Sequence, residues 1–277
     1  MTLSQRNLFF KAGIIISSLS IFICIISSIT AISVYEEMES NITHFADSFF
    51  NMLTGSLANT NLLAVHISIL GMSLYSLLSI LFINYFFEKT QSKEILFVSF
   101  FVVSFSLEAL RFVIPISLMY NIPSMYLLFA SRIIIFSRYF GIFSLFAASV
   151  YAVGYQSRTQ HTFIFIIIIT TWIIALGIPV DTQTWDSSFN MIKGYSSMFK
   201  MIDIGVFLIS TGSFFIAAWQ RSNREFLFIG TGTVLVFIGR DILLNADNWL
   251  GMPIGLPCLA IGTWLICTYL HKIYLWY

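Results

Sequence analysis

Eight stretches of roughly 20 largely apolar residues, separated by short polar joints, constrain this chain more than any motif in it. In hydrocarbon no water is available to the backbone, so each stretch must satisfy its own N–H and C=O groups, and a helix does this alone. The runs are Phe9–Val34, Leu62–Phe87, Ile95–Tyr120, Ser124–Val153, Thr162–Val180, Phe199–Trp219, Phe226–Leu244 and Gly251–Leu270. A chain of 277 residues with 58% hydrophobic side chains and 10% charged ones carries more apolar surface than a soluble fold can hide. The expectation is an all-α integral membrane protein, an eight-transmembrane-helix bundle forming a single polytopic domain over residues 1–277. The longest joints, Tyr35–Asn61 and Asp181–Ser197, leave no room for a soluble domain, and no output domain is expected after the last helix.

Basic residues in short loops mark the cytoplasmic side of a membrane protein. In an eight-helix arrangement Arg6, Lys11, Lys89, Lys93, Arg158, Arg221, Arg224 and Lys272 all fall on one side. The loops on the other side hold Glu36, Glu37, Glu39, Asp47, Asp181, Asp186 and Asp247, with Lys193 their one basic residue. Both termini are therefore expected in the cytoplasm. Adding or dropping a helix would scramble this segregation. A cleaved signal peptide is the competing reading of the first run, with Arg6 and Lys11 before it and Ala31-Ile32-Ser33 as the cleavage site; it would leave seven helices. The run is much longer than the apolar stretch of a usual signal peptide.

In the first outside loop, about residues 35–61, Ile42, Phe45, Phe49, Phe50 and Leu53 recur at helical spacing beside Glu39, His44 and Asp47. That pattern reads as an amphipathic helix, either resting on the outer leaflet or lying over a pocket. Asn41-Ile42-Thr43 has the glycosylation form. His44 and Asp47 alone do not make a closed metal set, and no metal or cofactor is expected. Cys24, Cys258 and Cys267 lie in apolar runs without a CxxC pair and read as small hydrophobes. A near-zero net charge with scattered basic residues carries no sign of nucleic acid. The chain has no H-E-x-x-H, G-x-S-x-G or Walker loop, so nothing positive supports an enzyme.

The charges inside the apolar runs are costly in hydrocarbon, about 2.5–3.5 kcal/mol each on insertion scales, and so carry most of the functional information. Glu108 and Arg111, and likewise Lys200 and Asp203, are three apart and can pair on one helix face. Arg240 and Asp241 are adjacent and point to different neighbours. Arg132 and Arg138 have no acidic neighbour in sequence. Cation exceeds anion, and an excess of guanidinium suits a carboxylate or phosphate. Two readings stay open: ion pairs and carbonyl contacts satisfy every charge and lock the bundle, or the surplus lines a polar cavity for an anionic small molecule or lipid headgroup. A proton or ion path is a third. Pro115 and Pro257 should kink their helices, and Gly251-x-x-x-Gly255 and Gly230-Thr231-Gly232 permit close helix approach.

The stretch beginning at His66, with FSRYFGIFSLFAAS further on, resembles the multi-helix membrane-associated sensor (MASE-type) domains of bacterial signalling proteins. The resemblance implies roles for His66, Arg138 and Tyr139, and an output passed to a partner. The candidate binding set is Glu108, Arg111, Arg132, Arg138, Arg240 and Asp241 from charge, with Tyr139 and His66 joined to it. The expected function is a receptor- or sensor-like binding module of a prokaryotic inner membrane, with an outward-facing pocket for an anionic ligand or headgroup. A transporter, or an accessory or structural subunit of a membrane complex, is the alternative. Expected partners are membrane lipids, an anionic small molecule and a separate output or complex partner.

Overall fold

Each apolar run closes its own backbone ladder, so the architecture is a set of long helices joined by short turns. The computed structural model describes residues 3–39, 62–88, 90, 92–120, 123–154 and 160–275. The helices are α1 (Leu3–Glu39), α2 (Leu62–Phe87), α3 (Lys93–Ser104, 3₁₀ over Phe105–Phe112, and helical again over Val113–Tyr120), α4 (Ser124–Val153), α5 (Gln160–Gly177), α6 (Ser196–Gln220), α7 (Glu225–Leu244) and α8 (Gly251–Leu275). Among the described residues, eight helices are long and apolar enough to cross a membrane. The amphipathic segment expected over residues 35–61, with His44 and Asp47, lies outside the described residues from position 40 onward, as do Lys89 and Arg158.

Local chemistry sets the helix ends. The Ser92 hydroxyl accepts from the Ile95 amide and starts α3, with Glu94 in its first turn. Gly154, at φ +108°, stops α4 in a conformation that a side chain would strain, and its amide donates to Tyr151 O. Pro179 follows the last turn of α5.

The helices differ in depth. Of the most apolar window of α3, 72% is buried, against 28% for α1, α5 and α6, so α3 is the axis and those three form the rim. Helices α7 and α8 are antiparallel neighbours that meet through glycine. A Cβ on Gly239 would lie 2.8 Å from Gly255 O, and one on Gly262 would lie 2.7 Å from Gly232 O. Those four glycines let two backbones touch. Of the other glycines in those two motifs, Gly230 meets the Phe215 ring of α6 and Gly251 meets Ala246.

Two expectations need correction. The third run is not one α-helix, because its middle tightens to 3₁₀ over Phe105–Phe112. Pro115 lies just beyond it, and its ring crowds the carbonyl four residues back, at Arg111. The Ser104 and Ser106 hydroxyls, bonded back to Phe101 O at 2.6 Å and Val103 O at 2.7 Å, perturb the ladder at the other end. Pro257 lies inside α8, which runs from Gly251 to Leu275. Finally, the chain is mostly rather than wholly α. An antiparallel pair, β1 (Val180–Trp185) and β2 (Met191–Lys193), follows α5. Its tight tip bonds Asp186 N–H to Asn190 O at 2.7 Å and turns at Phe189, φ +55°. The tip bends inward: Ser188, Phe189 and Met191 are buried.

Candidate functional site

The 3₁₀ segment decides the geometry at Glu108. With three residues per turn, positions i and i+3 eclipse, so Glu108 and Arg111 stand one above the other and Arg111 Nε lies 2.5 Å from Glu108 Oε2. Both side chains are buried. The pair expected from spacing is therefore formed, but it is incomplete. From α4, Arg138 donates Nε to Glu108 Oε1 and Nη2 to Oε2, each at 2.8 Å. This fork is the strong, geometrically specific form of a guanidinium–carboxylate contact. One carboxylate thus holds two guanidiniums. Near the start of the 3₁₀ stretch α4 comes close, with Ser137 donating to Ser104 O at 2.5 Å.

Two other elements close the cluster. Arg111 Nη2 donates to Leu244 O, at the end of α7, at 3.2 Å. There the unbonded carbonyls of a helix C-terminus carry partial negative charge. The hairpin tip brings Asn190, which accepts from Arg138 Nη2 at 2.5 Å and donates Nδ2 to Ser188 Oγ at 2.7 Å and to Leu244 O at 3.3 Å. Arg240, buried, points at Arg138 O from 3.5 Å. Asp203, half-buried on α6, has Arg240, Lys193 and Arg138 as its cationic neighbours. Among the described residues it closes no ion pair within 4 Å with any of them, and its Oδ1 is buried without a hydrogen bond.

Lys193 comes from β2 and is half-buried. Burial, and then Arg138, push its ammonium down to about 7, against an opposing pull from Glu108. A narrow cleft of about 10 Å³, room for about one water, opens beside Ser131, Ile134, Arg138, Asn190, Met191 and Lys193. Three guanidiniums and one lysine therefore face two carboxylates.

The remaining candidates make other contacts, though Tyr139 has Asp203, Arg240 and Arg138 among its charged neighbours. Arg132 turns away and donates Nη1 to Ala175 O and Ile178 O, closing the last turn of α5. Tyr139 is buried against Phe199, with ring centroids 6.0 Å apart. Asp241 is exposed, and its side chain accepts from Asn245. His66 is buried between the rings of Phe112 and Phe189, at 5.0 Å and 5.3 Å, under the hairpin tip. Lys200 is exposed, and the pair expected with Asp203 is not formed. Among the described residues, no group of three His, Cys, Asp or Glu side chains is placed to hold a metal.

Reading the sequence missed Asn190 and Ser188 and left Lys193 in a loop. The Asp186-Ser187-Ser188 cluster between Trp185 and Met191 is a turn signal that marks a hairpin. Its inward bend has no such signal. No protein-family model, no curated protein and no solved structure matches the chain.

Proposed function

We propose that this is a multi-pass protein of the cytoplasmic (inner) membrane, with both termini in the cytoplasm, and a receptor- or sensor-like module that binds an anion at the opposite, outward-facing end. The observation that carries the binding reading is a set of four cations, Arg111 and Arg240 buried and Arg138 and Lys193 partly buried, set against Glu108 and Asp203. In a low-dielectric bundle an uncompensated guanidinium is costly, and an anion removes that cost. Support for the orientation is the loop charge. Lys193, the one basic loop residue on the acidic side, folds back into the cluster and leaves that side's loops acidic. The likeness of His66, Arg138 and Tyr139 to bacterial sensor domains is what ties the proposal to signal sensing, to a prokaryotic membrane and to a separate output partner.

The test is thermal unfolding of the detergent-purified protein titrated with inorganic phosphate, citrate and phosphatidylglycerol. A ligand that binds only the native state raises its stability by mass action, so at least one of these anions should raise the midpoint. No shift with any of them sinks the reading. A transporter is the second reading, favoured by the interruption of α3 at the site itself. Counterflow of a stabilising anion into protein-loaded vesicles separates the two.

A further inference from the structure

The cluster holds a carboxylate that a simple anion site would exclude. Asp203 stands among Arg138, Lys193 and Arg240, yet no oxygen of it comes within 4 Å of a basic nitrogen of the described residues. Its Oδ1 is buried with no hydrogen-bond partner. Lys200, one turn before it, points out. Across from it Arg240 is buried, and its one hydrogen bond among the described residues, to Arg138 O, spans 3.5 Å, at the weak limit. Donors and an acceptor therefore face each other without closing. A bare anion such as sulfate would satisfy the guanidinium and repel the carboxylate. A group that is negative at one edge and carries a hydrogen-bond donor at another satisfies both, because a buried acceptor left unmade is costly.

We propose that the site takes an anionic group bearing its own hydrogen-bond donor, with Arg240 and Lys193 on the anionic oxygens and Asp203 accepting from the donor. This rests on the anion-binding reading above and names its ligand class. Hydrogen phosphate and phosphomonoesters carry that donor as a P–OH group, and phosphatidylethanolamine carries it as an ammonium beside its phosphate. Sulfate and phosphatidylcholine have the charge pattern without any N–H or O–H to give.

The experiment titrates the detergent-purified chain with millimolar phosphate and sulfate, below concentrations at which excluded salts stabilise proteins generally. In parallel it is titrated with phosphatidylethanolamine and phosphatidylcholine, following the unfolding midpoint and the heat of binding. The donor-bearing member of at least one pair should bind about tenfold more tightly or better, the effect of one hydrogen bond to a charged group. Preference within the phosphate–sulfate pair identifies a soluble ligand, and preference within the lipid pair a headgroup. Asp203→Asn should bring the preferred pair within about twofold, and Asp203→Ser serves where the first variant does not fold. Equal binding within both pairs of the unmodified chain overturns the donor inference and leaves the anion reading standing. No binding of any of the four removes the donor inference, and the citrate and phosphatidylglycerol titrations above then decide the anion reading.

Discussion

Arg138 grips both oxygens of Glu108 at 2.8 Å from a different helix, whereas Arg111, on the same segment, reaches one of them at 2.5 Å. The long-range partner has the more specific grip, so the tie between α3 and α4 should dominate the energetics. Glu108→Gln alone should cost about 3–5 kcal/mol, because it strands two guanidiniums. A thermal-stability cycle should find coupling of Glu108 with Arg138 of about 1–3 kcal/mol, exceeding that with Arg111. Asp241, exposed, should show none.

Arg132 closes a helix end and does not belong to the charge cluster. Arg132→Ala should lower stability by about 1–2 kcal/mol, the scale of a lost cap or charged hydrogen bond. The stabilisation gained from added anion should not change. A loss of that response in the variant's melting curves would return Arg132 to the binding set.

The glycines of α7 and α8 invite a paired comparison. Gly239→Ala places a methyl 2.8 Å from Gly255 O and should destabilise by about 1–3 kcal/mol or more. At Gly205 and Gly212 of α6 an added Cβ meets nothing within 4 Å. Alanine there should be neutral or stabilise by up to about 1 kcal/mol through helix propensity. Unfolding midpoints of the three variants check this.

Lys193 gives the bundle a pH dependence of stated sign. Its folded value of about 7 lies below the ordinary 10.5, so between them the native state binds fewer protons than the unfolded chain. Stability should then rise with pH from about 7 to about 10 and be insensitive to this group below that window. The groups that face it are Arg138, Glu108, Arg111 and Asp203. Lys193→Met should flatten the slope in melts taken across that range. Because a bound anion favours the ammonium, anion affinity should fall over the same interval.

The orientation is tested by fusions to a reporter active only outside the cytoplasm. Activity is expected at Asp247 and in the hairpin tip at Asp186, and none at Lys93 or Arg224. The reverse pattern at two of these positions overturns the arrangement.

What was legible in the sequence followed from length and local spacing. Apolar runs such as Ser124–Val153 and Phe226–Leu244 coincide with α4 and nearly with α7, because a span needs only enough consecutive apolar residues. The Glu108–Arg111 contact followed from a three-residue interval. In the sequence Arg138 is a charge lacking a neighbour; its partner, 30 positions away, is fixed only by how α4 lies on α3. Arg132 and Arg138 look alike as lone arginines; one meets a carboxylate and the other a pair of carbonyls, a difference made by helix rotation. Asn190 was unreadable because its place depends on a hairpin folding inward, and alternation along β2 does not encode that.

Among the described residues arginine closes a helix end in three places, and each time it belongs to a different helix. Arg6 of α1 donates to Phe87 O, Glu88 O and Thr90 O at and just beyond the end of α2; Arg111 of α3 to Leu244 O of α7; and Arg132 of α4 to Ala175 O and Ile178 O at the end of α5. Each works as a rivet, since a slide of one helix turn, about 5.4 Å, would shear off every bond it makes. The first rivet sits at the end of the bundle that carries the termini, the other two toward the opposite end. Piston motion between these partners is blocked, while splaying at each unriveted end breaks none of these bonds. If the cluster binds a signal as proposed, that signal would travel through this bundle as a change of tilt.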